Sequence, residues 1–180
     1  IPKKNEKFYS EKIIRMPNCF QCNDNKQEIC KEPIFRKDFN LPDQGVIFTC
    51  FNNHYKITKR EFNIWMNLLR EIDASVLWLY KSNQYSMNNL YTEAKKQKVD
   101  PERLIFAEKL PLKQHLARYS LGDLALDTFN FNGGKTTSDA LWGGLPVLTK
   151  IGQSFAARGS ASLLHSIGLP ELISYSESEY

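Results

Sequence analysis

The sequence predicts an α/β fold, a mainly parallel sheet with helices on both faces. Three observations predict it. From residue 44 onward, short apolar runs alternate with stretches of helical periodicity. The run Val46-Ile47-Phe48-Thr49-Cys50-Phe51 is almost continuously apolar, as strands covered on both faces are. The connections are short, and one apolar run passes through a glycine-containing loop into a helix that opens on Lys, two Thr, Ser and Asp.

Residues 1–43 read as an extended lead-in that packs on the domain and is not a domain itself. They are polar and are punctuated by Pro17, Pro33 and Pro42. Lys12 to Met16 is a candidate strand within them. The domain proper spans residues 44–180. After the first strand, Phe62, Trp65, Met66 and Leu69 recur at helical spacing, with Thr58 as N-cap. Ser75 to Tyr80 is the second strand, and Met87 to Lys98 a moderately amphipathic helix. Leu104 to Ala107 is the third strand. Pro111 then opens a helix to about Ser120, as a proline at a first helical turn does. Leu124 to Leu126, Pro146 to Thr149 and a short piece from Leu172 complete the candidate strands. Helices fall between them, over Thr136 to Trp142 and from Phe155 to Ser166, the latter stopped by Gly168.

The composition is that of an ordinary globular protein, 42% hydrophobic and 24% charged, with a net charge of +4 spread along the chain. Scattered basic residues do not favour nucleic acid as a partner. No apolar run approaches the roughly 20 residues that span a bilayer, and no secretory signal opens the chain. The first residue is Ile, so the sequence reads as part of a longer protein. Of the four cysteines, Cys19 and Cys22 form a C-x-x-C without a second pair to complete a zinc site, and Cys50 reads as core. Reduced thiols in the cytoplasm are the expectation.

In sheets of this type ligands bind beyond the carboxyl ends of the strands. That rule selects the loops 52–57, 107–112, 128–135 and 150–154. The loop before Thr136 has the makings of an anion cradle, with glycines, hydroxyls, a Lys and the free N–H groups of a helix start. On these residues alone an ordinary capped helix after a glycine turn is the alternative. Gly134-Lys135-Thr136 invites a P-loop reading, but that pattern requires glycine where this chain has Phe129. A dinucleotide G-x-G-x-x-G is also absent after the first strand. Lys56 could reach a phosphate or simply be solvated. His115 and Arg118 share a helix face, suited to a nucleobase or to a plain surface pair. No Ser/His/Asp set, metal-ligand set or general base is identified.

These residues and their surroundings resemble a known family. The motifs are Tyr9-Ser10-Glu11-Lys12, Phe51-Asn52-Asn53-His54-Tyr55-Lys56-Ile57, Ser75-Val76-Leu77-Trp78-Leu79, Asp100-Pro101-Glu102-Arg103-Leu104-Ile105-Phe106, Leu126-Asp127-Thr128, Ser138-Asp139-Ala140-Leu141-Trp142-Gly143-Gly144-Leu145-Pro146-Val147-Leu148-Thr149 and Gly152-Gln153-Ser154-Phe155-Ala156-Ala157-Arg158. Collinear from Tyr9 to Tyr180, they resemble the C-terminal half of the catalytic region of O-linked N-acetylglucosamine transferases, above all bacterial homologues fused to tetratricopeptide repeats. The resemblance implies a GT-B architecture in which this chain is the Rossmann-like lobe that holds a UDP-sugar, while most of the other lobe, the repeats and the acceptor site lie outside it. It implies transfer of a sugar, with N-acetylglucosamine expected, to Ser or Thr of an acceptor protein, inverting, without a metal or other cofactor; neither nucleic acid nor membrane is expected as a partner on the composition above. By the same resemblance Lys56 stabilises the leaving diphosphate. Asn53 and Thr136 lie on the diphosphate side, Asp139 on the ribose, and Leu110, His115 and Arg118 on uracil; Lys135, standing where the family has Thr, could compensate as a point charge on the diphosphate, and Thr137 is a further candidate for substrate binding. The family's Asn-x-His-Thr-Thr is here Asn132-Gly133-Gly134-Lys135-Thr136, a departure that also permits a catalytically inactive UDP-sugar-binding or protein-interaction module.

Overall fold

A computed structural model describes residues 1–180. Six strands form one sheet: β1 (Ile47–Cys50), β2 (Val76–Tyr80), β3 (Leu104–Ala107), β4 (Leu124–Leu126), β5 (Val147–Lys150) and β6 (Ile173–Ser174). Their order is β3-β2-β1-β4-β5-β6, and every neighbouring pair is parallel. The chain winds outward from β1 to β3, returns to the middle at β4 and winds out the other way. Between β1 and β4 the winding reverses, and the loops that leave those two strands diverge to open a crevice.

Alternation within each strand assigns its side chains to two cores. Phe48, Cys50, Leu77 and Leu79 face one side, where they meet Phe62, Trp65, Met66 and Leu69 of α1 (Lys59–Glu71) and Ala94 of α2 (Gln84–Lys96). Ile47, Val76, Trp78, Ala125 and Val147 face the other, against Tyr119 and Ala140. That second face is covered by α3 (Leu112–Ala117) with a 3-10 turn at Arg118–Leu121, and by α4 (Lys135–Trp142). Both faces are covered, which is why β1 and β2 read as apolar runs. Trp65 and Trp78 are buried on opposite sides, each burial worth about 2–3 kcal/mol. The last helix, α5 (Gly159–Ser166), packs Ala161 and Leu164 on Ile173 at the β6 edge.

Local chemistry sets the helix limits. Thr58 and Glu61 form a reciprocal capping box on α1, with the Thr58 N–H donating to Glu61 Oε1 at 2.8 Å. Asn83 Oδ1 accepts from the Ser86 N–H at 2.9 Å and starts α2 at Gln84, ahead of the expected Met87. The same helix stops at Lys96, and Lys98 turns to φ 60° beyond it. The helix expected from Pro111 to Ser120 is divided, since its last turn tightens to 3-10 geometry. The helix expected from Phe155 is divided likewise, a 3-10 turn at Ala156–Arg158 preceding α5.

One expectation is overturned. Lys12 to Met16 is not a strand: the segment has no regular secondary structure and pairs with no strand, and Ile14 is 86% exposed. It runs outside the sheet, whose six members pair only with one another. Residues farther along the lead-in do touch the domain. Phe20 packs edge-on against Phe155 with centroids 5.0 Å apart, the Trp142 indole N–H donates to the Gln27 carbonyl at 3.1 Å, and Phe39 meets Trp78 at 5.4 Å. No helix is long and apolar enough to cross a membrane.

Candidate functional site

The crevice is built around a buried carboxylate. Asp127 is the first residue past β4 and is 2% exposed. Its Oδ1 accepts from the Gly133 N–H at 2.7 Å, the Thr128 N–H at 2.9 Å and Asn52 Nδ2 at 3.1 Å; its Oδ2 accepts from Thr149 Oγ1 at 2.7 Å. Burial pushes this carboxyl above the usual range, and the donors pull against that shift. With its lone pairs so occupied, Asp127 organises the loop between β4 and α4 and is not a free acid or base. Gly133 permits the tight return. A Cβ there would stand 2.3 Å from Thr137 Oγ1 and 2.7 Å from Thr136 Oγ1.

Asn52, the second residue past β1, ties the two central loops together. It is buried, donates to Asp127 and to Thr128 Oγ1 (3.1 Å), and accepts from Thr136 Oγ1 at 2.7 Å. Sequence reasoning passed over Asn52 for its neighbour. The signal that would have found it is position: the first polar residue after a strand buried on both faces, next to the reversal of winding. Asn53 is exposed and caps the 3-10 turn His54–Lys56, its Oδ1 facing the Tyr55 N–H at 3.4 Å.

Lys56 ends that turn and crosses to the other loop. Its Nζ donates to the Asn132 carbonyl at 3.2 Å and lies 4.0 Å from the centroid of the Phe131 ring. Desolvation lowers its pKa, while the Asp127 charge works to raise it. The turn is anchored behind by His54, whose Nδ1 lies 2.8 Å from Ser86 Oγ at the start of α2.

Helix α4 begins in the crevice. Thr136 is half-buried there, with its hydroxyl on Asn52. Thr137 is 3% exposed and turned to α5, where its hydroxyl meets Ser160 Oγ at 2.8 Å. Asp139 is buried one turn on; burial raises its pKa, and its ion pair with Lys135 opposes the rise. Lys135 also donates to Gln27 Oε1 at 2.8 Å, so the lead-in reaches the crevice.

The third wall comes from the α3 region. Arg118 is 1% exposed, its guanidinium over Phe51 at 4.4 Å, donating to the Glu108 carbonyl at 2.6 Å and to His115 Nδ1. An arginine only donates, so Nδ1 is the unprotonated nitrogen and the His115 proton sits on Nε2. Burial, then the Arg118 and Lys135 charges, push the His115 pKa down to about 4. The ring also lies against Phe51 and Tyr119, at 5.7 and 5.1 Å. Leu110 is half-buried in the loop between β3 and α3. The Tyr119 hydroxyl donates to the Thr136 carbonyl at 3.4 Å, which joins this wall to α4. The structure thus gathers Lys56, Thr136 and Asp139 with the His115–Arg118 pair around the carboxyl ends of β1 and β4. It leaves Asn53 on the outer side of its turn and the Thr137 hydroxyl inside the fold.

Strand order and crevice define a doubly wound α/β lobe of the class that binds ligands at a topological switch point. Within that class the chain belongs to glycosyl transferase family 41, whose sequence profile matches residues 29–180. A probable UDP-N-acetylglucosamine–peptide N-acetylglucosaminyltransferase of Arabidopsis thaliana (SEC) is 34% identical over 169 residues, covering 90% of this chain and 17% of the relative. The Caenorhabditis elegans UDP-N-acetylglucosamine–peptide N-acetylglucosaminyltransferase is 32% identical over 145 residues, 81% of this chain and 13% of its own length. A solved mutant of the Thermobaculum terrenum O-GlcNAc transferase superposes with a TM-score of 0.86 at 28% identity, covering 99% of this chain and 34% of that one. The chain therefore spans less than a fifth of the Arabidopsis and Caenorhabditis relatives and about a third of the solved Thermobaculum chain.

Proposed function

We propose that this chain is the UDP-sugar-binding lobe of a protein O-glycosyltransferase that moves N-acetylglucosamine to Ser or Thr of an acceptor protein. The observation that carries the reading is the convergence, at one switch point, of a cation (Lys56), a helix start (α4), a buried carboxylate (Asp139) and an oriented imidazole (His115). The relatives, named as UDP-N-acetylglucosamine–peptide transferases, support it.

In this reading the nucleobase lies along the α3 wall, with the Nε2–H of neutral His115 and the backbone near Leu110 facing its polar edge. Asp139 accepts from ribose hydroxyls. The diphosphate sits on the first turn of α4, where the N–H groups of Thr136 and Thr137, the Thr136 hydroxyl and the helix dipole favour an anion. The acceptor hydroxyl oxygen forms its bond to the anomeric carbon with inversion and gives up its proton to a base supplied outside this lobe, the sugar–phosphate bond breaks, and UDP leaves with the electron pair. Lys56 meets the charge that grows on the departing oxygen, and protein cations take the place of a metal. Lys135 must leave Asp139 for the ribose to enter, which frees its ammonium for the diphosphate that Asn53 borders. We place the protein in the cytoplasm on its cysteine usage, with the other lobe and the repeats on the remainder of a longer chain.

Calorimetric titration with UDP, ADP and GDP tests the reading. Selective UDP binding that is lost in Lys56→Ala is expected; no UDP binding up to millimolar concentration would overturn it. The Lys135–Asp139 pair, standing where the family pattern changes, favours one second reading: a lobe of the same fold that binds the donor without turnover. Transfer from UDP-N-acetylglucosamine by the full-length protein separates the two.

A further inference from the structure

We propose that Phe131 is a positioning residue for Lys56, its ring capping the ammonium so that the charge is held at the mouth of the crevice. The inference rests on the reading of Lys56 as the diphosphate lysine. An ammonium carries three protons, and Lys56 Nζ places one on the Asn132 carbonyl at 3.2 Å. The adjacent residue supplies the Phe131 ring with its centroid at 4.0 Å, well inside the ~6 Å reach of a cation–π contact. One loop thus grips the amine by a carbonyl and by a ring. The loop is itself braced, since Thr128 Oγ1 donates to the Phe131 carbonyl at 2.6 Å.

Folding does not account for this ring. Phe131 is 47% exposed and belongs to neither main core, and its aromatic neighbour, Tyr55 at 6.5 Å, is 71% exposed. A neutral ring steadies an ammonium without neutralising it, whereas a carboxylate in that place would quench the charge a diphosphate requires. The titratable groups that act on Lys56 leave the role open to the ring: Asp127 attracts it through its charge but has its oxygens taken up by other donors, and the Cys50 thiol is pushed up to about 12 by burial and stays neutral.

The test is UDP affinity by calorimetry in the full-length protein, for Phe131→Leu, Phe131→Tyr, Lys56→Ala and the Phe131→Leu/Lys56→Ala pair. Phe131→Leu should weaken UDP roughly three- to tenfold, and Phe131→Tyr should restore it. In the Lys56→Ala background, Phe131→Leu should cost nothing further. UDP carries no sugar, so a ring that merely contacts the sugar would leave UDP affinity untouched and alter only UDP-sugar binding; that result overturns the proposal. So does a loss that is undiminished in the double variant. If Lys56→Ala itself leaves UDP affinity unchanged, the fault lies with the reading of Lys56, and the proposal falls with it. Unchanged thermal unfolding of the half-exposed Leu variant excludes misfolding as the cause.

Discussion

At the scale of single residues, the two groups with the sharpest demands are Lys56 and His115. A charged group on the leaving diphosphate meets a charge that grows in the transition state and persists in the UDP product, so Lys56→Ala in the full-length protein should lower transfer by roughly 10²–10³-fold, read as kcat, alongside its loss of UDP affinity. His115 makes a different prediction. Its folded pKa of about 4 lies below the ordinary 6.5, so the unfolded chain takes up its proton first as the pH falls. The sign follows: the contribution of His115 to stability is complete above about pH 6.5, is lost as the pH falls toward about 4, and is constant below that. His54, whose pKa burial also lowers, adds to the same slope. An NMR titration should show the His115 ring unprotonated at pH 5, and urea midpoints should fall between pH 7 and 5. A His115 midpoint near 6.5 would contradict the Arg118 hydrogen bond. The types and spacing of these side chains were legible in the sequence, since helical periodicity brings His115 and Arg118 to one face. Their states were not, because tautomer and pKa depend on Phe51, Glu108 and Lys135, which come from other parts of the chain.

At the scale of elements, the loop from Asp127 to α4 decides whether a site exists. The Gly133 backbone is pinned between Asp127 Oδ1 and Ser160 Oγ, the latter donating to its carbonyl at 3.1 Å, while two threonine hydroxyls occupy the space a Cβ would need. Gly133→Ala must therefore displace Thr136 or Thr137. A cost of about 1–3 kcal/mol is expected from urea unfolding, with UDP affinity falling further than stability because Thr136 belongs to the crevice. Gly134→Ala is the control, since a Cβ there would meet only the end of the Gln21 side chain, at 3.1 Å. Thr58→Ala removes one side of the α1 capping box and should cost about 1 kcal/mol without altering nucleotide affinity. The strands and α1 were legible because burial on two faces and on one face leave distinct apolar patterns. The subdivided helices were less so. The tightening at Arg118 accompanies its hydrogen bond to the Glu108 carbonyl, and the break before Gly159 accompanies the Asn132 and Gly152 N–H bonds to the Ala156 and Ala157 carbonyls; such contacts leave no periodic trace, and the Lys12–Met16 run carries a strand's apolar content without a strand partner.

At the scale of the whole molecule, the commitments of the titratable groups say what this lobe can and cannot do by itself. Activating a Ser or Thr hydroxyl calls for a base within hydrogen-bond reach of the incoming oxygen. Around the crevice each base of suitable type is already engaged, except for His54 Nε2, which is buried without a partner. Asp127 is buried under four donors, Asp139 holds Lys135, His115 Nδ1 is occupied by Arg118, and His54 is buried against Ser86 and Phe106. What remains is electrophilic in character: an ammonium, a helix start and N–H donors, all suited to the leaving group. The fold that carries them has its own cores on both sheet faces, so donor binding and folding can be separated from transfer. The isolated chain should therefore unfold cooperatively in urea, bind UDP, and release no UDP from UDP-N-acetylglucosamine above the uncatalysed rate in the presence of a Ser/Thr peptide. The full-length protein should restore both acceptor binding and transfer. Glycosylation of the peptide by the isolated chain, followed by mass spectrometry, would show instead that one of these engaged groups is released on donor binding and serves as the base. Asp139 would be the first to examine, because the ribose and Lys135 compete for it.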